Sequence, residues 1–280
     1  MQHRPFGNTQ RSVAAVGQGS WQLEQGSKAA AIAALRAGLD LGMTHIDTAE
    51  MYGDGASERV IGEAIRDRRG DVFLVSKVLP GNATKAGTIK ACERSLANLG
   101  TDRLDAYLLH WPSRHPLAGT VAAFEQLKRD GKILSWGVSN FDVDLLEEVT
   151  ALGSPPACNQ VLYHVGERAI EHAVLPWCEA QGVALVAYTP FGQSPGFYDA
   201  ATAQGRVLHA VAARHQATPR QVALAWLLRT PPVFVIPKAA HAAHVADNAG
   251  AADIVLDADD IGAIDAAFPL SARPRHLPTV

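Results

Sequence analysis

The stretch VFLVSKVLPGNATKAGTIKACERSLANLGTDRLDAYLLHW, residues 72–111, decides the fold of this chain. It opens with an apolar run at 72–78, continues into an amphipathic segment at 86–100, and ends in a second apolar run at 104–111. Both runs are apolar without alternation, which is typical of strands that are covered on both faces. The segment between them has Ala, Leu, Glu and Arg at helical intervals and a glycine at its end. The stretch therefore predicts a strand, a crossover helix and a second strand parallel to the first.

The same strand-then-helix unit repeats on both sides of this stretch. Eight such units in about 250 residues have the size and count of a closed (β/α)8 TIM barrel, so we expect α/β architecture in a single domain covering residues 1–280. An open doubly wound sheet is less favoured, because GQGSW at 17–21 has only two glycines of the nucleotide-binding fingerprint. The predicted strands cover residues 12–19, 43–49, 72–78, 104–111, 133–140, 156–163, 183–190 and 233–239.

Composition favours a globular protein that acts on a small molecule. The chain has 280 residues, of which 48% are hydrophobic, and its formal net charge is −3. Such a balance gives no general attraction to nucleic acid or to an anionic membrane. The three cysteines, Cys92, Cys158 and Cys178, are far apart and lack metal-ligand spacing, which favours a reducing compartment. With no signal-peptide pattern and no membrane-length apolar run, we expect a cytoplasmic protein.

Polar side chains stand where the predicted strands end, and in a barrel these ends converge on the active site. The second, third and fourth strands contribute Asp47 with Tyr52, then Lys77, then His110. Any one of them could cap a helix or be satisfied in the core. Their occurrence on three consecutive strands predicts one shared site instead. The other strand ends carry Trp21, Trp111, Ser139, Asn140, Asn159, Gln160, Tyr188 and Lys238.

The chemistry of the four side chains predicts proton transfer to an oxyanion. A tyrosine phenol has an ordinary pKa of about 10, and a nearby ammonium group such as that of Lys77 lowers it. Asp47 can compensate the Lys77 charge in a partly dry pocket. A neutral His110 can donate a hydrogen bond to a carbonyl oxygen and orient it.

A site that protonates a carbonyl needs a hydride donor to complete a reduction, which predicts a nicotinamide at the remaining strand ends. Tyr188 can stack on a flat ring, while Ser139, Asn140 and Gln160 can hydrogen-bond a carboxamide. Lys238 follows the eighth strand, where barrels frequently bind phosphate, and suits the 2′-phosphate of NADP.

These residues belong to motifs that resemble the aldo-keto reductases along nearly the whole chain. The resemblance implies an NADPH-dependent carbonyl reductase with catalytic Asp47, Tyr52, Lys77 and His110, in which Tyr52 is the proton donor. It further implies a monomer, and the residues themselves offer no three-ligand cluster for a metal. The motifs are GQGSW (17–21), IDTAEMYGDGASE (46–58), VSK (75–77), LLHWP (108–112), WGVSNF (136–141), NQVLYH (159–164), AYTPFG (187–192) and IPKAA (236–240).

The resemblance also implies the cofactor contacts, with Thr189 to Gln193 along the pyrophosphate. Ala239 and His244 depart from the family pattern, which has a small hydroxyl residue and an arginine there. NADPH is the expected coenzyme. Because losing a guanidinium weakens recognition of its 2′-phosphate, NADH use is possible as well. The implied contacts are Gly19, Ser20, Trp21, Asp47, Ser139, Asn140, Gln160, Tyr188, Thr189, Pro190, Phe191, Gly192, Gln193, Ile236, Lys238, His244, Asp247 and Asn248.

Within the family, the chain is similar to bacterial reductases that act on methylglyoxal and other small aldehydes. Trp21, Met51 and Trp111 would form an apolar pocket for the substrate beside His110. The tail 269–280 is short and broken by prolines, so we expect it to cover this pocket incompletely.

Three other functions remain open on the sequence. A Schiff-base aldolase would use Lys77 as a nucleophile. A regulatory subunit that binds NADP(H) and senses redox state, like the potassium-channel β subunits, would keep the fold with little turnover. A metal-dependent hydrolase is suggested only by His45 near Asp47, without further histidine ligands.

Overall fold

The computed structural model describes residues 1–153 and 155–280, and its centre is a sheet of eight parallel strands that pair in chain order. The first and last strands meet through parallel bridges, which join Val16 to Val235 and Gly19 to Lys238. The sheet therefore closes on itself, and the predicted (β/α)8 barrel is confirmed. The strands are β3 (Gln18–Gly19), β4 (His45–Asp47), β5 (Phe73–Val78), β6 (Leu104–Leu109), β7 (Ile133–Ser139), β8 (Cys158–Leu162), β9 (Ala184–Tyr188) and β10 (Val233–Val235).

Helices connect the strands around the outside of the barrel. Thr218 and Gln221 form a capping box at the start of one of them, with Pro219 in its first turn. Glycines in the left-handed region end two others, at Gly100 and Gly182. The helices are α1 (Lys28–Asp40), α2 (Ala56–Ile65), α3 (Lys85–Leu99), α4 (Leu117–Arg129), α5 (Val143–Ala151), α6 (Val174–Gln181), α7 (Ala203–Arg214), α8 (Pro219–Leu227), α9 (Ala242–Gly250) and α10 (Ala258–Ala267).

The prediction that residues 12–19 form one continuous barrel strand is wrong. Its first part is β2 (Ser12–Ala14), which pairs antiparallel with β1 (His3–Pro5) in a hairpin. The later part belongs to the barrel sheet, through the bridge of Val16 to Val235 and through β3. The run is apolar throughout because the hairpin is packed against the barrel, so hydrophobic periodicity cannot separate the two strands.

The hairpin closes the amino-terminal end of the barrel with a cluster of aromatic rings that we call the barrel floor. Phe6 is fully buried, and its ring lies 4.7 Å from that of Phe73 and 5.0 Å from that of Phe234. His45 completes the barrel floor, and neither of its ring nitrogens has a hydrogen-bond partner among the described residues. Burial lowers the pKa of His45 to about 4, so this imidazole is neutral at neutral pH.

All three cysteines are buried and none forms a disulfide. Burial raises the pKa of Cys92 and Cys178 to about 12, and that of Cys158 is raised as well. These thiols are therefore protonated and shielded from reagents in solution. Within residues 1–153 and 155–280, no helix combines the length and apolar character needed to cross a bilayer.

Candidate active site

The carboxyl ends of the strands surround a cavity of about 340 Å³ at the opposite end of the barrel from the floor. Parallel strands in a closed barrel all end on this face, which is why residues far apart in sequence meet here. The predicted site residues that line the cavity are Gly19, Ser20, Trp21, Asp47, Met51, Tyr52, His110, Trp111, Ser139, Asn140, Gln160, Tyr188, Thr189, Pro190, Phe191, Gly192, Gln193, Ile236 and Lys238.

Lys77 lies just beneath the cavity and is fully buried on β5. Its Nζ donates to Asp47 Oδ1 at 2.5 Å, to the Thr48 carbonyl at 2.8 Å and to the Tyr52 hydroxyl at 3.3 Å. Burial favours a neutral amine, but the carboxylate of Asp47 and the oxygen of Tyr52 outweigh it, and the pKa of Lys77 is raised. All three N–H groups are engaged and no lone pair is free, so this lysine is unsuited to form a Schiff base.

Tyr52 stands on the loop between β4 and α2, with its ring edge-to-face with that of His110 at 5.8 Å. The expectation that Lys77 makes the phenol more acidic than usual is wrong in its net direction. Burial raises the pKa of Tyr52 by more than the Lys77 charge lowers it. The phenol is therefore protonated at neutral pH, which is the form that a proton donor needs.

His110 follows β6 and is largely buried beside Trp111, with the two ring centroids 4.8 Å apart. Burial lowers the pKa of His110 to about 2, and the Lys77 charge acts in the same direction. The imidazole is therefore neutral and carries a single N–H, which can serve as a hydrogen-bond donor in the cavity.

A chain of hydrogen bonds joins the far side of the cavity to Asp47. The Tyr188 hydroxyl donates to Asn140 Oδ1 at 2.9 Å, and Asn140 Nδ2 donates to Ser139 Oγ at 3.2 Å. Ser139 Oγ donates to the Gln160 carbonyl at 2.8 Å, and Gln160 Nε2 donates to Asp47 Oδ2 at 2.8 Å. The polar groups of this wall are therefore held in fixed orientations, with the Tyr188 ring facing the cavity edge.

Two of these strand ends have left-handed backbone. Asn140 has φ of 61°, which asparagine tolerates, and Thr189 has φ of 50°, which β-branched residues rarely adopt. Beyond Thr189 the chain makes a turn in which the Gly192 N–H donates to the Thr189 carbonyl at 2.8 Å. A Cβ on Gly192 would lie 3.0 Å from the His164 ring, so only glycine fits this turn closely. The turn brings its backbone along the cavity edge, as a pyrophosphate site requires.

Three predicted cofactor residues, His244, Asp247 and Asn248, lie on α9 outside the lining of the cavity. His244 is exposed, and its ring centroid is 5.8 Å from that of His241. Asp247 accepts a hydrogen bond from Thr218 Oγ1 at 3.0 Å, and Asn248 is buried. Lys238 is thus the one cationic side chain of the predicted set at the cavity itself.

The mouth of the cavity is apolar. Trp21, Met51 and Trp111 are 47%, 40% and 37% exposed, which is unusual for large apolar side chains. The structure adds Val280, which also lines the cavity and which sequence reasoning missed. Nothing in the residue type of Val280 signals this position; only the path of the tail reveals it.

The tail borders the pocket on one side, while Trp21, Met51 and Trp111 at its mouth stay partly exposed. The Ser271 carbonyl contacts His172 Nε2 at 2.8 Å, and Arg273 contacts Asp142 at 3.4 Å. Leu277 then packs against the core. These contacts carry the tail to the side of Trp111, where it borders the cavity.

Among the described residues there is no group of three or more His, Cys, Asp or Glu side chains that could hold a metal ion. His45, the residue that suggested a hydrolase, is on the barrel floor and contacts phenylalanine rings.

Comparison with known proteins agrees with this arrangement. Residues 15–268 match the model of the aldo/keto reductase family. Methylglyoxal reductase YeaE of Escherichia coli is 45% identical over 92% of both chains, and glyoxal reductase of Bacillus subtilis is 34% identical over 89% of this chain and 87% of its own. The crystal structure of an aldo-keto reductase from Klebsiella pneumoniae in complex with NADPH is 42% identical, with a TM-score of 0.92 over 100% of this chain and 99% of its own. This chain belongs to the aldo/keto reductase family.

Proposed function

We propose that this oxidoreductase reduces small aldehydes and ketones with NADPH, and that Tyr52 gives the proton to the carbonyl oxygen. One observation carries the proposal: the Lys77 ammonium lies between the Asp47 carboxylate and the Tyr52 hydroxyl, directly beneath the cavity. This arrangement couples a buried acid to a fixed positive charge at the place where a carbonyl oxygen would develop negative charge.

The side chains divide the work as follows. Tyr52 and the neutral His110 both donate to the carbonyl oxygen and hold it between them. As negative charge develops there, Tyr52 transfers its proton, and the adjacent Lys77 ammonium stabilises the phenolate that remains. Asp47 keeps Lys77 charged throughout, and the low dielectric of the site strengthens each of these interactions.

The residues present fit a nicotinamide coenzyme, which would supply the hydride. Tyr188 offers an aromatic face, Asn140 and Gln160 offer amide groups, and the turn of Thr189 to Gln193 offers backbone N–H groups along the cavity edge. The NADPH complex of the Klebsiella relative supports the same coenzyme here. Lys238 is the proposed partner of the 2′-phosphate, with NADH use possible because Ala239 and His244 offer no guanidinium fork.

The proposed substrates are small carbonyl compounds such as methylglyoxal, glyoxal and aromatic aldehydes. The names of the Escherichia and Bacillus relatives support the dicarbonyl compounds. The apolar mouth of Trp21, Met51 and Trp111 supports small, uncharged substrates in general.

Replacing Tyr52 by phenylalanine tests the proposal. We expect kcat for methylglyoxal reduction to fall by roughly 10²- to 10⁴-fold because the proton donor is lost. The NADPH dissociation constant, measured by fluorescence titration, should stay within about threefold, less than the tenfold change that 1.4 kcal/mol would cause. Tyr107→Phe is a matched control, since that buried hydroxyl has no hydrogen-bond partner among the described residues. Full turnover in the Tyr52→Phe variant would refute the assigned role, and no turnover in the unmodified protein would favour a redox-sensing subunit.

We further propose that residues 1–280 act as one domain in the cytoplasm. The continuous barrel core and the unpaired, buried cysteines support this proposal. A monomer of 29.7 kDa remains the predicted state, which light scattering after size-exclusion chromatography measures directly.

A further inference from the structure

Tyr52 and Lys77 are carried by different kinds of segment. Lys77 lies on β5, where it pairs with Leu108 of β6, whereas Tyr52 lies on the loop between β4 and α2. The bond between them, at 3.3 Å, is the longest of the three that Lys77 donates and is slightly beyond the usual range for a hydrogen bond. The hydrogen bond from Lys77 to Tyr52 therefore depends on the contacts that hold the loop against β5.

Glu50, two residues before Tyr52, makes that tie. Its side chain is 9% exposed, and Oε1 accepts from the Leu79 N–H at 2.8 Å and from Asn82 Nδ2 at 2.9 Å. Its Oε2 accepts from Arg94 Nη2 at 2.8 Å. The backbone N–H of Glu50 also donates to the Lys77 carbonyl, at 3.3 Å. The carboxylate thus links the loop to the segment that begins two residues after Lys77 and to α3.

We propose that Glu50 is a positioning residue that holds the Tyr52 hydroxyl within hydrogen-bond reach of Lys77. The inference rests on the proposed function of Tyr52. Glu50 lines no part of the cavity and touches none of the proposed reacting groups with its side chain. It acts through the loop, and its charge is compensated by Arg94. Because its carboxylate accepts from the Leu79 N–H, removing the side chain leaves that N–H without its acceptor.

Displacement of the loop should change the pKa of Tyr52, whereas a general loss of structure would only lower activity. The Lys77 ammonium opposes the rise that burial causes in the pKa of Tyr52. When the phenol moves away from Lys77 but stays buried, that opposition weakens and the pKa of Tyr52 rises further. Oxidation of an alcohol, the reverse reaction, needs the phenolate, so its rate should reach half of its maximum at a higher pH.

The experiment compares Glu50→Ala and Glu50→Gln with the unmodified protein. For Glu50→Ala we expect kcat for aldehyde reduction to fall by about 10- to 100-fold, as for a catalytic group displaced by about 1 Å. The KM for the aldehyde and the affinity for NADPH should change little, and the pH profile of alcohol oxidation should move to higher pH. In Glu50→Gln the amide oxygen can still accept from Leu79, so a smaller loss and a smaller shift in the same direction are expected. Glu63→Gln is a matched control, because Glu63 is a partly exposed glutamate on α2 that pairs with Lys28.

The outcomes separate this inference from the proposed function. A Glu50→Ala profile that is lowered equally at every pH, or that matches the unmodified protein, overturns the positioning role. If Glu50→Ala does not fold, a Glu50→Gln profile that superimposes on that of the unmodified protein overturns it, and a shift to higher pH supports it. Should Tyr52→Phe be inactive while both Glu50 variants keep the unmodified profile, only the role of Glu50 falls. Should Tyr52→Phe keep full turnover, the proposed function itself falls.

Discussion

Single residues in this site act through effects that oppose one another. Burial raises the pKa of Tyr52 and the Lys77 ammonium lowers it, with burial the larger. Burial disfavours the charge on Lys77, and Asp47 restores it. The result is a protonated phenol next to a charged amine at neutral pH. In the proposed reaction the phenol thus already carries the proton that it gives to the substrate oxygen.

At the same scale, Lys238 should decide between the two coenzymes. Lys238→Ala removes the cationic side chain at the cavity edge, so we expect NADPH to bind about 10- to 100-fold more weakly, a loss of about 1.4 to 2.8 kcal/mol. NADH lacks the 2′-phosphate and should change less than about threefold, because that charge-assisted contact is absent. Paired fluorescence titrations measure both values, with Lys85→Ala, an exposed lysine on α3, as the control. Equal losses for the two coenzymes would mean that the phosphate binds elsewhere.

Sequence alone identified these residues but could not weigh their environments. Asp47, Lys77 and His110 were recognisable because each ends or follows an apolar run, and strand ends converge in a barrel. The net direction of the pKa of Tyr52 depends on burial, which only the folded chain defines. The proposed role of Glu50 was also hidden, since its partners Leu79 and Arg94 are near in space and 29 and 44 positions away in sequence.

Among the elements, the amino-terminal hairpin of β1 and β2 does most to complete the barrel. It supplies Phe6 to the barrel floor, and its Arg4 binds the segment between α8 and β10. Arg4 donates to the Leu228 carbonyl after α8 at 2.6 Å and to the Thr230 and Val233 carbonyls at 3.1 Å. These carbonyls lie at the end of a helix and at the start of the last strand, where internal partners are lacking.

Arg4→Ala should therefore destabilise the fold more than the loss of an ordinary surface arginine. We expect the free energy of unfolding to fall by about 1 to 3 kcal/mol, the usual range for hydrogen bonds to a charged group. Urea denaturation followed by circular dichroism measures it. Arg103→Ala is the comparison, since among the described residues the ion pair of Arg103 is with its neighbour Asp102. If the two variants lose the same stability, the hairpin is not fastened through Arg4.

For the whole molecule, repetition made the barrel predictable, and long-range packing determined the rest. The eight strand-then-helix units gave the closed sheet and the face that bears the cavity. The division of residues 12–19 between hairpin and barrel could not be read from the sequence, because both parts are buried. The course of the tail past Trp111 and the position of α9 outside the cavity likewise depend on contacts between distant segments.

Buried neutral histidines make the stability of the whole molecule depend on pH. The pKa of His45 is about 4 in the folded protein, below its ordinary value of 6.5, so the unfolded chain takes up a proton first as the pH falls. Stability from this residue is complete above pH 6.5 and is lost progressively toward pH 4. A pKa difference of this size lowers the free energy of unfolding by about 3 kcal/mol at pH 4.

Replacing His45 by leucine should flatten this dependence. We expect the unfolding free energy of His45→Leu to decline less than that of the unmodified protein between pH 6.5 and pH 4, whatever its absolute value. Urea midpoints at several pH values provide the comparison, and His3→Leu, at an exposed histidine, should keep the unmodified slope. If the unfolding free energies of the unmodified protein and of His45→Leu decline in parallel with falling pH, His45 is not a source of the pH dependence. His110 and His164, whose pKa values are lowered to about 2 and about 4, contribute to the dependence that remains.

The sequestered, protonated sulfur atoms give this catalyst a chemical durability suited to its proposed work. Aldehydes and dicarbonyl compounds are electrophiles that add to exposed thiolates, and an enzyme that handles them is at risk from every turnover. Here each sulfur is enclosed and holds its proton firmly. In the proposed reduction of reactive carbonyls, the cysteines would therefore be protected from the substrate.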